Sequence, residues 1–420
     1  MFIYKLNNHL RYRCTKWIIK NVWMSFIRRI LVLIDSMNKV MVWSRLPGWT
    51  CTLLLFLWLQ LPIESKAQEI DFRGRLHMDM LLGVDNAEPF SNGFNNRRAR
   101  LGLNVKFPGH WDGRMDVDFG GADVRPKDFR LRRSVSGGSR IWIGQYKVPQ
   151  GLNELTSSNN ITFIERATPN NIVSDSRRLG VAYDRMSDVW GVKSMVYGHW
   201  IGDGGDIVGD MPVGLAVRGI YAPSLGSGRL HLATSVAYEN LMDNTSIEFN
   251  DRPEARDSKG GPVLIRLMFD DEIVESTLKR GFEVSYINDR FFLEGEYFQV
   301  DANLKAQENP GFSGWYVQAG YLLTGGRRAY SPENLRTIIQ DQDNDSGAWE
   351  LAVRFSDMNL NDAEFTGGRQ RNITIGGNRY LSTHIRFMVN ATLIKVTDTS
   401  EESMPDANPV VLTMRAQFNF

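Results

Sequence analysis

The chain ends on an unbroken alternation. Val410, Leu412, Met414, Ala416, Phe418 and Phe420 share one parity, and Thr413, Arg415, Gln417 and Asn419 share the other. A period of two places these sets on opposite faces of a β-strand. The pattern recurs along most of the chain. In RARLGLNVKF, Ala99, Leu101, Leu103, Val105 and Phe107 oppose Arg98, Arg100, Asn104 and Lys106. Met115, Val117 and Phe119 oppose Arg114, Asp116 and Asp118. FFLEGEYF, WELAVRF and HIRFMVNATL repeat the same alternation. Turn signals separate them: NGFNN, SGGS, PSLGSG, DNDSG and TGGR. The only helical signal in this region is weak, one short turn over Ser331 to Gln340.

Two all-β architectures fit such a pattern. A soluble sandwich or barrel buries its apolar face in a core. A transmembrane barrel turns that face to lipid and its polar face to a water-filled lumen. Three features favour the membrane. The polar faces of consecutive strands are charged. Aromatic residues (Trp142, Trp190, Trp200, Tyr221, Trp315, Tyr330 and Trp349) stand near strand ends, where interfacial girdles form. The last strand ends on an aromatic residue. In a closed barrel that strand pairs with the first, around Phe72 to Met80, and Phe420 anchors it near an interface. A terminal phenylalanine is also what the bacterial barrel-assembly machinery reads, so that machinery is an expected partner. At roughly 20 to 24 residues per strand with its turn or loop, the pattern predicts an antiparallel barrel of about 16 strands, wide enough for an aqueous channel.

The N-terminal region reads differently. Cys51 to Ile63 is an apolar run too short for a spanning helix. Lys39 and Arg45 precede it, and Ser65, Lys66 and Ala67 form a small-x-small cleavage site before Gln68. Residues 37–67 read as a secretory signal and 68–420 as the barrel. Residues 1–36 read as an upstream or over-extended segment. Ten of the 49 basic and two of the 48 acidic residues lie in 1–67, so residues 68–420 carry 39 against 46, a net −7. This balance offers no footprint for nucleic acid. Both cysteines, Cys14 and Cys51, also precede Gln68, so residues 68–420 contain neither a disulfide nor a thiol site.

RGRLHMDM, RRARLGL, IGQYKVPQGLNELTSS, GWYVQAGYLLTGGRRAYSP and GAWELAVRFSDMNLND, in this order, resemble the phosphate-selective porin O and P family. The resemblance implies a 16-stranded homotrimeric barrel in the outer membrane of a bacterium. It also implies a third external loop folded inward as a constriction, here residues 150–177. Lumenal cations would form a site for small anions such as phosphate, with no cofactor. Carried over by motif, Arg75 matches a pore arginine, and Arg97 and Arg98 match a neighbouring pair. Parity agrees for Arg75 and Arg98 but gives Arg97 a lipid-facing position, suited only to a strand end. Arg73, Arg100, Arg130 and Arg132 share the lumenal side. Forked guanidinium donors suit phosphate and carboxylate.

Three family lysine positions are held here by Asp112, Glu154 and Ser331; Arg336 is the candidate replacement for one of them. This departure leaves a general or oligosaccharide-passing pore as the second reading. Glu165 and Arg166 match a recurrent pair in the inward loop. They either line the constriction or pin the loop through a mutual salt bridge, and pinning is the reading taken. A barrel-borne enzyme and a soluble β-rich binding protein are the remaining alternatives. The sequence lacks H-E-x-x-H and G-x-S-x-G, and His231 reads as a solvated lumenal histidine. DNDSG and GDGGDIVGD lack EF-hand ligand spacing, so no metal site is expected.

N-terminal sequencing of the protein isolated from outer membranes should begin at Gln68. A start upstream of Met37 would overturn the leader reading.

Overall fold

The computed structural model describes residues 69–121, 123–201, 212–241, 246–269, 274–305, 308–331, 336–340, 347–399 and 408–420, with backbone alone at 331 and 336–340. Sixteen strands form the wall: β1 (Glu69–Asp85), β2 (Gly93–Phe107), β3 (Trp111–Asp118), β4 (Arg125–Ser134), β5 (Ser139–Lys147), β6 (Arg177–Met186), β7 (Trp190–Tyr197), β8 (Val213–Tyr221), β9 (Gly228–Asn240), β10 (Val274–Ile287), β11 (Phe291–Leu304), β12 (Gly311–Thr324), β13 (Ala348–Asp362), β14 (Phe365–Tyr380), β15 (Ile385–Thr399) and β16 (Val410–Asn419). Each pairs antiparallel with its chain neighbours. β16 pairs with β1 and closes the barrel. Closure leaves no sheet edge in lipid, where an unpaired backbone group is costly.

The alternation has the expected sense through the bilayer. On β11, Leu293 and Tyr297 are exposed, while Glu294 and Glu296 are buried inside. Farther along the same strand the sense inverts. Phe298, Val300, Ala302 and Leu304 point inward and are buried; Gln299, Asp301 and Asn303 face out. β13 and β15 invert likewise, with Met358, Leu360, Ile394 and Val396 inside. Here the strands have left the membrane, and an apolar interior becomes the favourable arrangement. A hairpin of Ile247–Asp251 with Ile265–Phe269, from the β9–β10 connection, fills that interior. Its Phe249 packs 5.8 Å from Phe312 and 6.4 Å from Phe269 between ring centroids.

Trp190, Tyr221, Trp315 and Trp349 are exposed on the outer surface, as a girdle requires. Trp142 and Tyr330 depart from that expectation. Trp142 donates from Nε1 to Asp184 at 2.7 Å, and the Tyr330 hydroxyl meets His231 Nδ1 at 2.8 Å, so both turn inward. Arg336–Gln340 is not a helical turn. It is a strand paired with Arg327–Ser331, in a hairpin between β12 and β13. Strand alternation places this hairpin at the end of the short turns. It folds into the lumen, because Arg328 bonds to the wall carboxylate Glu350, and its amide donates to the Asp289 carbonyl at 2.8 Å.

The seam agrees with the sequence expectation. Register runs from Arg75 opposite Asn419 to Met80 opposite Met414. Gly74 and Phe420 add reciprocal backbone bonds of 2.9 and 3.1 Å. The Phe420 ring lies across Gly74, where a Cβ would stand 2.3 Å from ring carbons. Only glycine lets the ring lie there. Deleting Phe420 should sharply reduce the heat-modifiable, folded species in outer-membrane extracts. Gly74→Val should do so less, since it removes a cross-strand contact worth about 0.5 kcal/mol. Normal folded yield after the deletion would count against this role.

Candidate pore constriction

The β5–β6 connection, residues 148–176, is too long to be a turn, and it crosses the lumen. It carries two short helices, α1 (Leu152–Leu155) and α2 (Thr168–Val173). Gly151, at φ 69°, turns the chain into α1. The Leu152 and Asn153 amides then donate to Glu296 on β11 at 2.7 and 2.8 Å. A carboxylate is well placed at free helix amides.

Beyond α1 the loop runs through turns and bends outside any helix or strand ladder, and its carbonyls need donors. The wall supplies them. Arg386 donates to the Ile161 and Thr162 carbonyls at 2.8 Å each, and Asn378 to Thr162 at 3.0 Å. Arg415 reaches the Ile164 carbonyl at 2.7 Å, and Arg354 the Glu165 carbonyl at 3.0 Å. The loop is therefore held by β13 to β16 on one side, and Arg75, His77, Arg97 and Lys147 tie it to β1, β2 and β5 on the other.

Glu165 and Arg166 do not pair with each other as expected; each orders the loop through other partners. Glu165 accepts a bidentate bond from Arg97 (2.6 and 2.9 Å) and one from Arg415 (3.2 Å), with Arg98 and Arg256 at 3.8 and 3.7 Å. Burial opposes its charge, but Arg97, Arg98 and Arg256 outweigh this and hold its carboxyl well below the ordinary range. Arg166 pairs with Glu154 at 3.2 Å and donates to the carbonyls of Asn153 (2.8 Å) and Thr156 (2.8 Å). Burial also opposes the Glu154 charge. Arg166 and Lys147 overcome it, and the Glu154 pKa is lowered.

Arg97 faces the lumen, against its parity. His77 pairs with Arg98 and Met78 with Asn96, so Arg97 is the extra residue of a β-bulge. A bulge shifts the alternation by one and sends two successive side chains to the same face. Arg98 beside it is buried. It meets His77 Nδ1 at 3.4 Å, and its Nε lacks a partner.

Opposite the loop stands a wall of paired charges. Arg100 bonds Asp118 at 2.6 Å. Asp112 takes both Arg130 (3.0 Å) and Arg132 (2.6 Å). Asp128 takes Arg177 (2.6 Å) and, more distantly, Arg114 (3.8 Å). Asp116 lies 3.5 Å from Arg73. Arg75 donates to Ser158 (2.8 Å) and Ser157 (3.4 Å) of the loop, with Arg73, Arg100, Arg177 and Asp116 as its charged neighbours. Lys127 stands 5.8 Å over the Trp200 ring beside Arg100, Arg177 and Asp118.

The structure thus brings Arg75, Arg97, Arg98, Glu154, Glu165 and Arg166 together at the loop, with Arg100 beside Arg75, while Arg130 stands farther along the wall with Asp112. Asp112 and Glu154 are neutralised by cations within the protein. The side chains of Arg336 and Ser331 lie outside the described residues. Parity had already set Arg114 on the polar face beside Asp116 and Asp118; Lys127, Arg177, Arg256 and Asp79 were not among the expected site residues, and loop residue Arg256 gave no signal. His231 is not solvated. It is fully buried, with Nδ1 at Tyr330 and Nε2 3.2 Å from Glu283, itself held by Arg218.

Comparison with known proteins agrees with this architecture. The chain is 27% identical over 244 residues to an uncharacterized protein of Caulobacter vibrioides, covering 55% of this chain and 48% of that one. It is 24% identical over 245 residues to Porin O of Pseudomonas aeruginosa, covering 52% and 54%. It therefore spans about half the length of these relatives. Among solved structures, the fold resembles OmpT, an outer membrane protein of Vibrio cholerae, at TM-score 0.55 and 10% identity, covering 84% of this chain and 100% of that one. It also resembles the anion-selective porin from Comamonas acidovorans at TM-score 0.52 and 10% identity, covering 84% and 99%. The family model for phosphate-selective porin O and P matches residues 70–420. With that match spanning the whole closed barrel, the chain is an outer-membrane protein and belongs to the phosphate-selective porin O and P family.

Proposed function

We propose that the protein is a water-filled channel for passive diffusion of small solutes with a preference for anions, phosphate among them, and that it works as a homotrimer. It is read as a channel, not a catalyst, set in outer-membrane lipid by the barrel-assembly machinery acting on Phe420. The observation that carries the anion preference is the charge balance of the β1–β6 wall. Arg73, Arg75, Arg100, Arg114, Lys127, Arg130, Arg132 and Arg177 stand against Asp112, Asp116, Asp118 and Asp128. Asp112 is shared by Arg130 and Arg132 and Asp128 by Arg177 and Arg114, while Asp116 and Asp118 each pair with one arginine, Arg73 and Arg100; eight cations face four carboxylates, so the wall keeps net positive charge. At about 0.15 M salt the Debye length is roughly 8 Å, so this wall outweighs the distant net −7. Low-dielectric walls focus its field on the aperture. The general-pore reading draws on Asp112, which occupies two of the arginines.

In a planar bilayer under a KCl gradient, the reversal potential should show anions favoured. Arg75→Ala and Arg98→Ala should each lower the anion-to-cation permeability ratio about two- to fivefold, because one charge at about 8 Å in water is worth about 0.5 kcal/mol. Cation selectivity that neither substitution changes would refute the proposal. Added phosphate should reduce chloride current at millimolar concentration; block at micromolar concentration would reveal a tighter site than this wall offers.

Asp251, in the hairpin that fills the outer interior, adds a pH dependence. Burial raises its pKa to about 7, against the lowering effects of Arg256 and of the Asn171 amide 2.8 Å away. Its folded pKa lies above the usual value of about 4. The neutral form is therefore the one the fold favours, and that contribution to stability is lost as pH rises through about 7. Between pH 8 and pH 5.5 Asp251 gains a proton beside Arg256 and Glu165. Anion preference should rise about twofold over this interval. Asp251→Asn should show the acid value at both pH values; an unchanged pH response in that variant would exclude Asp251 as the cause.

A further inference from the structure

The aspartates of the wall do more than subtract charge. Asp112, Asp118 and Asp128 hold wall arginines at 2.6–3.0 Å, whereas Asp116 is held more loosely. Asp116 on β3 is held by one ion pair of 3.5 Å, to Arg73, which is longer than a good hydrogen bond. An ionised carboxylate has about four acceptor sites, so Asp116 keeps unused acceptor capacity. Room for it is built into the sheet: Gly102 lies opposite on β2, where a Cβ would stand 2.0 Å from Asp116 Oδ1. Arg75 is a neighbouring charge at the same level, and it is bonded to the loop hydroxyls of Ser157 and Ser158. Asp112, more open to the lumen at 22% side-chain exposure, accepts one bond on each oxygen and also retains free lone pairs.

We infer that this wall selects small anions that also carry hydroxyl donors, hydroxycarboxylates as a class, over anions of the same size and charge without a hydroxyl. The anionic end is drawn to the guanidinium groups at Arg75, and the hydroxyl donates to the Asp116 carboxylate as the solute passes. A halide or a simple carboxylate meets the same carboxylate as repulsion with no compensating bond. The pairing of donor and acceptor at one step is thus a filter for solutes that can satisfy both. The inference rests on the anion-preferring reading of the channel and adds the substrate class to it.

Lactate and propionate separate the two ideas, since they share charge and carbon count and differ by one hydroxyl. Reversal potentials of the purified protein in planar bilayers, with potassium lactate against potassium propionate, should give a lactate-to-propionate permeability ratio roughly threefold above that of their aqueous mobilities. Asp116→Asn should bring the ratio toward that of free solution while raising chloride preference over potassium, because it weakens the acceptor and removes a negative charge. Asp112→Asn should move both readouts in the same directions, and it serves if Asp116→Asn does not insert. A ratio equal to the mobility ratio in the unsubstituted protein overturns the inference and leaves the anion-preferring channel standing. So does an equal effect of the substitutions on lactate and propionate. A cation-selective potential in KCl overturns the anion reading itself.

Discussion

The guanidinium of Arg415 joins the two constructions on which this molecule depends. It is fully buried and bonds Asp79 on β1 through two atoms, at 2.6 and 2.7 Å, across the seam that closes the barrel. Its remaining donors reach the Ile164 carbonyl and the Glu165 carboxylate of the inward loop. One side chain on the last strand therefore fastens the first strand and the constriction together. Removing a single partner from such a buried group commonly costs about 3–5 kcal/mol, because the charge left behind has no water to solvate it. The Glu165 cluster extends the same logic. Its one carboxylate is surrounded by Arg97, Arg98, Arg256 and Arg415, so the loop position is over-determined from four directions.

This arrangement explains why the aperture has its particular charge. Cations at β13 to β16 are used to hold loop carbonyls, and Glu154 and Glu165 are consumed by Lys147, Arg166 and the Arg97 group. The loop reaches the lumen as a largely neutral surface. The remaining lumenal charge is concentrated on the facing wall, where arginines outnumber aspartates. Arg75 and Arg98 stand between the two groups, since each faces the lumen and also contacts the loop.

Much of this was legible in the chain. Period-two alternation set the strands, the lipid and lumen faces, the closing pair and the lumenal position of Arg75, Arg98, Arg100 and Arg130, because burial on one face of a strand leaves no other register. Three kinds of feature were not. The bulge at Arg97 breaks parity by one residue and leaves no mark in composition. Partners of the inward loop lie from 68 residues away, as with Arg97 and Glu165, to 216, as with Asn378 and Thr162, so no local pattern encodes them. The inversion on β11, β13 and β15 has the same period on both sides of the membrane boundary, and only the content of the faces changes. Trp142 and Tyr330 misled for a related reason. An aromatic near a strand end has the same sequence context whether it sits in a girdle or stacks with lumenal cations, as Trp142 does with Arg130 at 4.5 Å and Lys193 at 4.2 Å.

The seam also sets an order of events. Arg415 and Asp79 are separated by 336 residues, and the wall donors that hold the loop belong mainly to the last four strands. Contacts of such sequence separation form late, after the chain entropy of closure has been met. Until the last strand arrives, the Asn159 and Ile164 carbonyls lack the donors Gln417 and Arg415, and Glu165 lacks one of its arginines. The nascent barrel must therefore pass through a stage in which this part of the loop is not yet fastened. Closing the barrel and finishing the constriction are then one event.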